Sequence, residues 1–446
     1  MEYRISLNSL KNTLKVKERD YSIDKKESNF KKFTLKDGRE FFYCNWDNAI
    51  YDSDKNLLSA KQEVTQEYRD IIKEVRTIHK KNNPMWLRIL MGHACNYSCA
   101  YCMQKDIGNP DEREKIKTTD KLIDQIKRNI DFSRIQKIDL WGGETLLYWK
   151  TMTELMSEFD REGLTWFIPT NGTPLMMKHI EFFKTLKGNV TLGISHDGPA
   201  HERLRGKEFL YNKIEVLKAL QENNIQFSFN PVISNTNFNL YDINKFFYDF
   251  CEQSGLDVNK TGLTWVIGHN YGDGDGNSSS HVVSGDNLKQ FSTIIKSFID
   301  DCIDQKFNGV NNRLLNNSLI DSDLGVINYA KLLRNQILPT YVTSCGADDA
   351  GVLTLDMNGN IRTCPHTDET HISGHVENIE KAALTKIDIN RYDSHCNSCE
   401  VFRLCKSNCP IETTDEVFYT NCAIEKVYNK AIQNKSFSLI FKSDVV

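Results

Sequence analysis

Thirteen cysteines in 446 residues are where the chemistry of this sequence is concentrated. Ten of them fall in two groups, while Cys44, Cys251 and Cys302 stand alone. The first group is Cys95, Cys99 and Cys102, with the spacing C-x-x-x-C-x-x-C. Three thiolates on one tight loop can ligate three irons of a cubane cluster, which ordinarily takes four. One iron then keeps an open position, which a metal site needs if substrate is to bind it. A zinc loop with a fourth ligand such as His93 is the alternative. The second group is Cys345, Cys364, Cys396, Cys399, Cys405, Cys409 and Cys422, with C-x2-C-x5-C-x3-C running from Cys396 to Cys409. A structural zinc domain is the alternative there.

The bulk properties narrow the setting. Lys and Arg number 56 against 60 Asp and Glu, a net charge of −4, so no basic field argues for nucleic acid or an anionic membrane. Met1 to Lys15 has no apolar run of the secretory kind, and no stretch is long and apolar enough to span a bilayer. The expectation is a cytoplasmic protein whose thiols stay reduced, where clustered cysteines hold metal more often than they form disulfides.

The elements that must position these residues follow from periodicity. Residues 1–82 read as a small N-terminal α+β unit. Lys31–Leu35 and Glu40–Trp46 flank the hairpin signal Asp37-Gly38, and Val64 to Ile78 recurs at helical spacing. From Pro84 strands and helices alternate. The strand-like runs are Trp86–Met91, Ile135–Leu140, Leu164–Pro169, Val190–Ser195, Ile225–Val232 and Leu263–Ile267. Leu240–Phe250 and Leu288–Ile299 carry helical spacing. The fold class is therefore α/β: a parallel sheet in a partial, TIM-like (βα)6 barrel over 83–310, with chemistry at the C-terminal ends of its strands. Gly272–Asp286 is a loop on that face. Residues 311–343 read as a connector, and 344–446 as a cysteine-rich domain with a hairpin about Asn358-Gly359. Cys44, Cys251 and Cys302 read as structural.

Four motifs now fall in order at successive strand ends. C-x-x-x-C-x-x-C, with Tyr101 before its last cysteine, resembles the signature of the radical S-adenosylmethionine (SAM) superfamily. Gly142-Gly143-Glu144 resembles that family's GGE motif, and Thr170-Asn171-Gly172 its T-N-G element. Ser195-His196-Asp197-Gly198-Pro199 with Arg205 resembles S-x-D-G-P…R. The resemblance implies a [4Fe–4S] cluster whose open iron is chelated by the amino and carboxylate groups of SAM. An electron from the cluster then breaks the C5′–S bond, and a 5′-deoxyadenosyl radical abstracts hydrogen from substrate. It implies that Tyr101, Gly142, Gly143, Glu144 and Asn171 line the SAM site, with the GGE motif at the amino group. It also implies Ser195 at the ribose, Arg205 at the carboxylate end and the Val266 backbone at adenine. Arg203 is the alternative to Arg205, because the spacing is slightly short. Asn171 serves equally as a plain Asn-Gly turn. His196, on the other face from Ser195, reads as structural.

The seven later cysteines resemble a SPASM domain, which carries two auxiliary [4Fe–4S] clusters. The resemblance implies Cys396, Cys399, Cys405 and Cys422 on the outer cluster, and Cys345, Cys364 and Cys409 on the inner one. A further cysteine usual after the first is missing from Gly346–Gly351, leaving an open iron or a ligand such as Asp348. Sulfatase-maturating members use an Asp directly after the equivalent of Cys364 as a base; here that residue is Pro365, so the resemblance leaves His366 or Asp368 to take a proton, with a plain hydrogen-bonded neighbour as the alternative for His366. The expected function is modification of a peptide or protein by oxidation, cross-linking or epimerisation, as in ribosomal peptide (RiPP) maturation. A flavodoxin- or ferredoxin-type reductant is implied. A small metabolite or sugar as substrate, or a non-catalytic iron–sulfur or zinc protein, are the alternatives.

Overall fold

The computed structural model describes residues 29–45, 48–58, 77–104, 119–269, 281–335, 346–347, 349–367, 371–385, 395–396, 398–406, 409 and 414–446. Most of the helical pattern at Val64–Ile78, most of Gly272–Asp286, and Cys345, Asp348 and Asp368 lie outside these residues.

At Asp37-Gly38 the chain turns as its sequence predicts, between β1 (Phe30–Thr34) and β2 (Glu40–Cys44), and β3 (Ala49–Tyr51) continues the antiparallel sheet. The described end of the expected N-terminal helix is instead a strand, β4 (Thr77–His79). Pairing with a distant strand overrides local helical spacing there.

The barrel then runs β5 (Trp86–Leu90), α1 (Asp120–Asn129), β6 (Lys137–Trp141), α2 (Trp149–Phe159), β7 (Thr165–Thr170), α3 (Met177–Phe183), β8 (Asn189–Ile194) and α4 (Ile214–Glu222). It continues with β9 (Gln226–Phe229), β10 (Val232–Ile233), α5 (Leu240–Ser254), β11 (Thr261–Leu263), β12 (Val266–Ile267), α6 (Gly285–Asn308) and β13 (Asn316–Asn317). Strands β5, β6, β7, β8, β9 and β11 are parallel neighbours in that order, which is the expected partial barrel. The last two expected strands each come in two pieces. Pro231 has no N–H for the ladder, and β10 and β12 form a separate parallel pair beyond it.

Alternation along each strand gives the sheet two unlike faces. Ile89, Leu140, Ile168, Leu192 and Phe229 are buried in the main core with Leu122, Leu155, Ile180, Leu220 and Phe247 of the helices. The other face is polar. Arg88 Nε lies 3.5 Å and Lys137 Nζ 3.2 Å from the Asp139 carboxylate, and Arg88 stacks 3.9 Å over Trp86.

The cysteine-rich region joins this sheet. After α7 (Val326–Asn335), β14 (Val352–Asp356) pairs in parallel with β5, Leu353 opposite Leu87. β15 (Asn360–Arg362) and β16 (Ile372–His375) extend it antiparallel. The Asp356 carboxylate accepts the Asn358 and Asn360 amides and so closes the expected hairpin. β17 (Ala383–Thr385) pairs with β4. The last described helix is α8 (Asp415–Phe441), on which the N-terminal sheet packs: Phe33 and Phe41 each lie 5.0 Å from Phe437. Among the described residues no helix is long and apolar enough to cross a membrane.

Candidate active site

The first cysteine loop leaves the C-terminal end of β5 and is locked to the end of β6. Gly143 N donates to the Gly92 carbonyl at 3.0 Å and Glu144 N to that of Ala94 at 2.9 Å. The approach is too close for any side chain at Gly143, whose Cβ would fall 2.3 Å from the His93 carbonyl oxygen. Gly92 combines φ 144° with a Cβ position 2.5 Å from Tyr148 Oη, the group to which Ala94 N donates. Beyond this lock, Tyr97 N donates to Cys95 Sγ at 3.4 Å, Ala100 N to the Leu204 carbonyl at 2.8 Å, and Cys102 N to the Cys99 carbonyl at 3.1 Å. Burial pushes the Cys99 thiol up to about 11; Arg205 opposes the rise while Cys102 and Cys95 add to it.

The next strand ends close around this loop. The buried Glu144 carboxylate accepts Thr170 Oγ1 and Asn171 N, each at 2.6 Å, and Leu146 N at 3.0 Å, tying the GGE turn to the T-N-G turn. Burial raises its pKa against the pull of these donors. Asn171 Nδ2 donates to Asn96 Oδ1, and Asn96 Nδ2 to Thr173 Oγ1, both at 2.7 Å. The T-N-G turn thus grips the residue after Cys95. From the end of β8, buried Asp197 accepts Tyr101 Oη, Arg205 Nε at 2.9 Å and Val232 N at 2.9 Å. The Arg205 guanidinium lies 5.3 Å from the Tyr101 ring. Arg203 instead donates to the Thr236 carbonyl, so Arg205 is the arginine at the loop. Ser195 N donates to the Thr170 carbonyl at 2.8 Å. His196 accepts Gly198 N at Nδ1 and holds Glu208 at 2.9 Å through Nε2. Val266 N donates to the Pro231 carbonyl. Asn96 and Tyr148 emerge here as organising residues that sequence reasoning did not single out, and Asp197, read only as part of the S-x-D-G-P motif, is the carboxylate that ties Tyr101 to Arg205.

In the C-terminal region Cys396, Cys399, Cys405 and Cys422 line one small cavity with His395, Phe402 and Phe418. Cys399 N donates to the Cys396 carbonyl at 3.0 Å, Cys405 N to that of Val401 at 3.0 Å, and His395 Nε2 lies 3.4 Å from Cys422 Sγ. Burial drives the Cys405 thiol well above its ordinary value. Cys364 lies after β15, where Thr367 Oγ1 donates to its carbonyl at 2.8 Å. Gln104, two residues after Cys102, donates to the Pro365 carbonyl at 3.2 Å and so connects the two cysteine regions. His366 meets Trp141 edge to face at 4.8 Å, and burial lowers its pKa to about 4, with Arg88 and His93 adding. Among the described residues no three His, Cys, Asp or Glu side chains converge on a point for a single metal ion. A cubane, with one thiolate per iron, spreads its ligands more widely. Three partly exposed thiols on a loop pinned from three strand ends fit such a group.

Residues 89–240 match the model of the radical SAM superfamily, and the chain carries a radical SAM domain. That class works with SAM and a [4Fe–4S] cluster. Among curated proteins, radical SAM cyclopropyl synthase TigE of Paramaledivibacter caminithermalis is 24% identical over 351 residues, 72% of this chain and 67% of that protein. Among solved structures, anSMEcpe with bound AdoMet superposes with a TM-score of 0.54 at 14% identity, over 80% of this chain and 96% of that one. Streptococcus suis SuiB does so with a TM-score of 0.50 at 16% identity, over 75% and 77%. At these identities the two structures establish the fold, a radical SAM partial barrel.

Proposed function

We propose that this protein is a SPASM-type radical SAM enzyme that modifies a peptide or protein, with Cys95, Cys99 and Cys102 holding the cluster that meets SAM. The observation that carries this reading is the convergence of three strand ends on the cysteine loop, through Glu144–Asn171, Asn171–Asn96 and Tyr101–Asp197–Arg205. When bound there, the cluster and SAM supply a 5′-deoxyadenosyl radical. The chain's own residues position and shield. Gly142 and Gly143 let backbone groups reach the SAM amino end, Asn171 flanks the loop, and Tyr101 stands on it beside Arg205. Arg205, kept charged by Asp197 against the cost of burial, faces the carboxylate end. The Ser195 hydroxyl takes the ribose, and the Val266 backbone the adenine.

Cys396, Cys399, Cys405 and Cys422, in their common cavity, would hold the outer auxiliary cluster, and Cys345, Cys364 and Cys409 the inner one, which would supply an electron acceptor for a net oxidation. His366 and Asp368, which follow Cys364 in the chain, are the proton-moving candidates. Residues 83–310 form the catalytic barrel, 311–343 the connector, 344–446 the auxiliary domain and 1–82 the N-terminal unit. The enzyme works in the cytoplasm with a flavodoxin- or ferredoxin-type reductant. A peptide substrate is supported by anSMEcpe, one structure of which holds AdoMet and the Cp18Cys peptide. TigE, a cyclopropyl synthase, makes ring closure with loss of two hydrogens the first product to seek. The test is co-expression with short reading frames encoded beside this gene, read by mass spectrometry. A peptide whose mass changes only with active enzyme supports the reading. A metabolite that is converted while no peptide changes sinks it.

A further inference from the structure

The unit ahead of the barrel carries no catalytic motif, yet it reaches the loop of Cys399 and the segment that follows Cys345 in the chain. Asn45, directly after β2, is 1% exposed. Its Nδ2 donates to the Cys399 carbonyl at 2.8 Å, and its Oδ1 accepts Asn29 Nδ2 at 3.2 Å. Its backbone carbonyl accepts Arg403 Nε. Asn29 and Arg403 are also buried, so the amide is fixed from both sides while it holds the loop between Cys396 and Cys405.

A second contact is independent of the first. Lys80, directly after β4, is 5% exposed. Its ammonium donates to the carbonyls of Ala347 at 3.0 Å, Asp349 at 2.8 Å and Val352 at 3.1 Å. Lys81 N and Met85 N donate to Ala350 and Gly351 in the same stretch, which follows Cys345 in the chain. Burying an ammonium is costly unless its three donors are engaged, and here they all grip one loop.

We propose that Asn45 and Lys80 are positioning residues for the auxiliary iron–sulfur centres. Asn45 sets the Cys396–Cys405 loop, and Lys80 sets the loop behind Cys345. Partners of this kind, one step out from the ligands, fix ligand orientation and metal retention. The inference rests on the reading that these cysteines hold clusters.

The test uses the full chain reconstituted anaerobically. Iron and acid-labile sulfide are counted, and the reduced clusters are followed by electron paramagnetic resonance. Asn45→Leu and Lys80→Met are each expected to lose about four of about twelve irons, with one auxiliary resonance. Lys80→Arg, which keeps a cation with several donors, retains more iron than Lys80→Met. Arg39→Ala removes a contact from the same unit to the Phe441 carbonyl, away from any cysteine loop, and keeps the full complement. Should Lys80→Met not fold, Lys80→Gln replaces it under the same outcomes. Wild type with only about four irons overturns the auxiliary clusters and this inference together. Wild type with about twelve, beside folded Asn45 and Lys80 variants of unchanged iron and resonance, overturns the positioning role alone.

Discussion

Gly143 has no space for even a methyl group, because the chain that leads into Cys95 crosses 2.3 Å from where its Cβ would sit. Gly143→Ala must therefore displace the cysteine loop from the end of β6. Displacement of reacting groups by about 1 Å costs on the order of 100-fold in rate, so 5′-deoxyadenosine formation from SAM should fall by about that factor. A variant that cleaves SAM as fast as wild type would show that this lock does not matter. His179 makes a prediction of a different kind. It is buried against Trp149, with Met176 N donating to its Nδ1 at 2.9 Å, and burial lowers its pKa to about 4, with Lys178 and Lys213 adding. The unfolded chain takes up this proton near the ordinary value of 6.5 and the folded chain only near 4, so stability falls as the pH drops through that window. In urea titrations, wild type should lose about 2 kcal/mol more than His179→Gln between pH 7 and 5. Parallel curves would count against the assignment. The glycine of the GGE turn was legible at this scale because close backbone approach restricts residue type, and the cysteines because their spacing is a recognisable pattern. Asn96 and Tyr148 were not, since each gains its meaning from a partner far away in the chain, and Asp197 was legible as a motif member but not as the partner of Tyr101 and Arg205.

At the scale of elements, six strands and the helices at Leu240 and Leu288 could be placed from periodicity, because one face of each is apolar and packs into a common core. The step between Phe229 and Val232 was less legible, although Pro231 marks it. Two strand pairings had no local signal at all: β14 with β5, and β4 with β17, each joining segments more than 250 residues apart. The contact between the N-terminal sheet and α8 was hidden for the same reason. It rests on a tight aromatic group, with Phe437 at 5.0 Å from both Phe33 and Phe41. Phe437→Ala should cost about 3–5 kcal/mol, read as a lower urea midpoint under anaerobic conditions. A midpoint within about 1 kcal/mol of wild type would mean that the sheet and helix barely support each other.

For the whole molecule, one continuous ten-stranded sheet carries both the barrel strands and the hairpin that leads to Cys364. Gln104 links the loop of Cys102 to the residue after Cys364, so the two cysteine regions share a rigid frame. The order of the motifs along the chain made the class of chemistry readable; the substrate was not, because those motifs concern the cysteine loop and the strand ends around it. The central claim is that three thiolates present a cluster to SAM at the rim of this barrel. It is tested most directly by adding dithionite and SAM to anaerobically reconstituted protein and measuring 5′-deoxyadenosine. Wild type should release the nucleoside, and Cys99→Ala should release none above background. A wild type that stays silent under strong reduction, or a Cys99→Ala variant that matches it, would contradict the account.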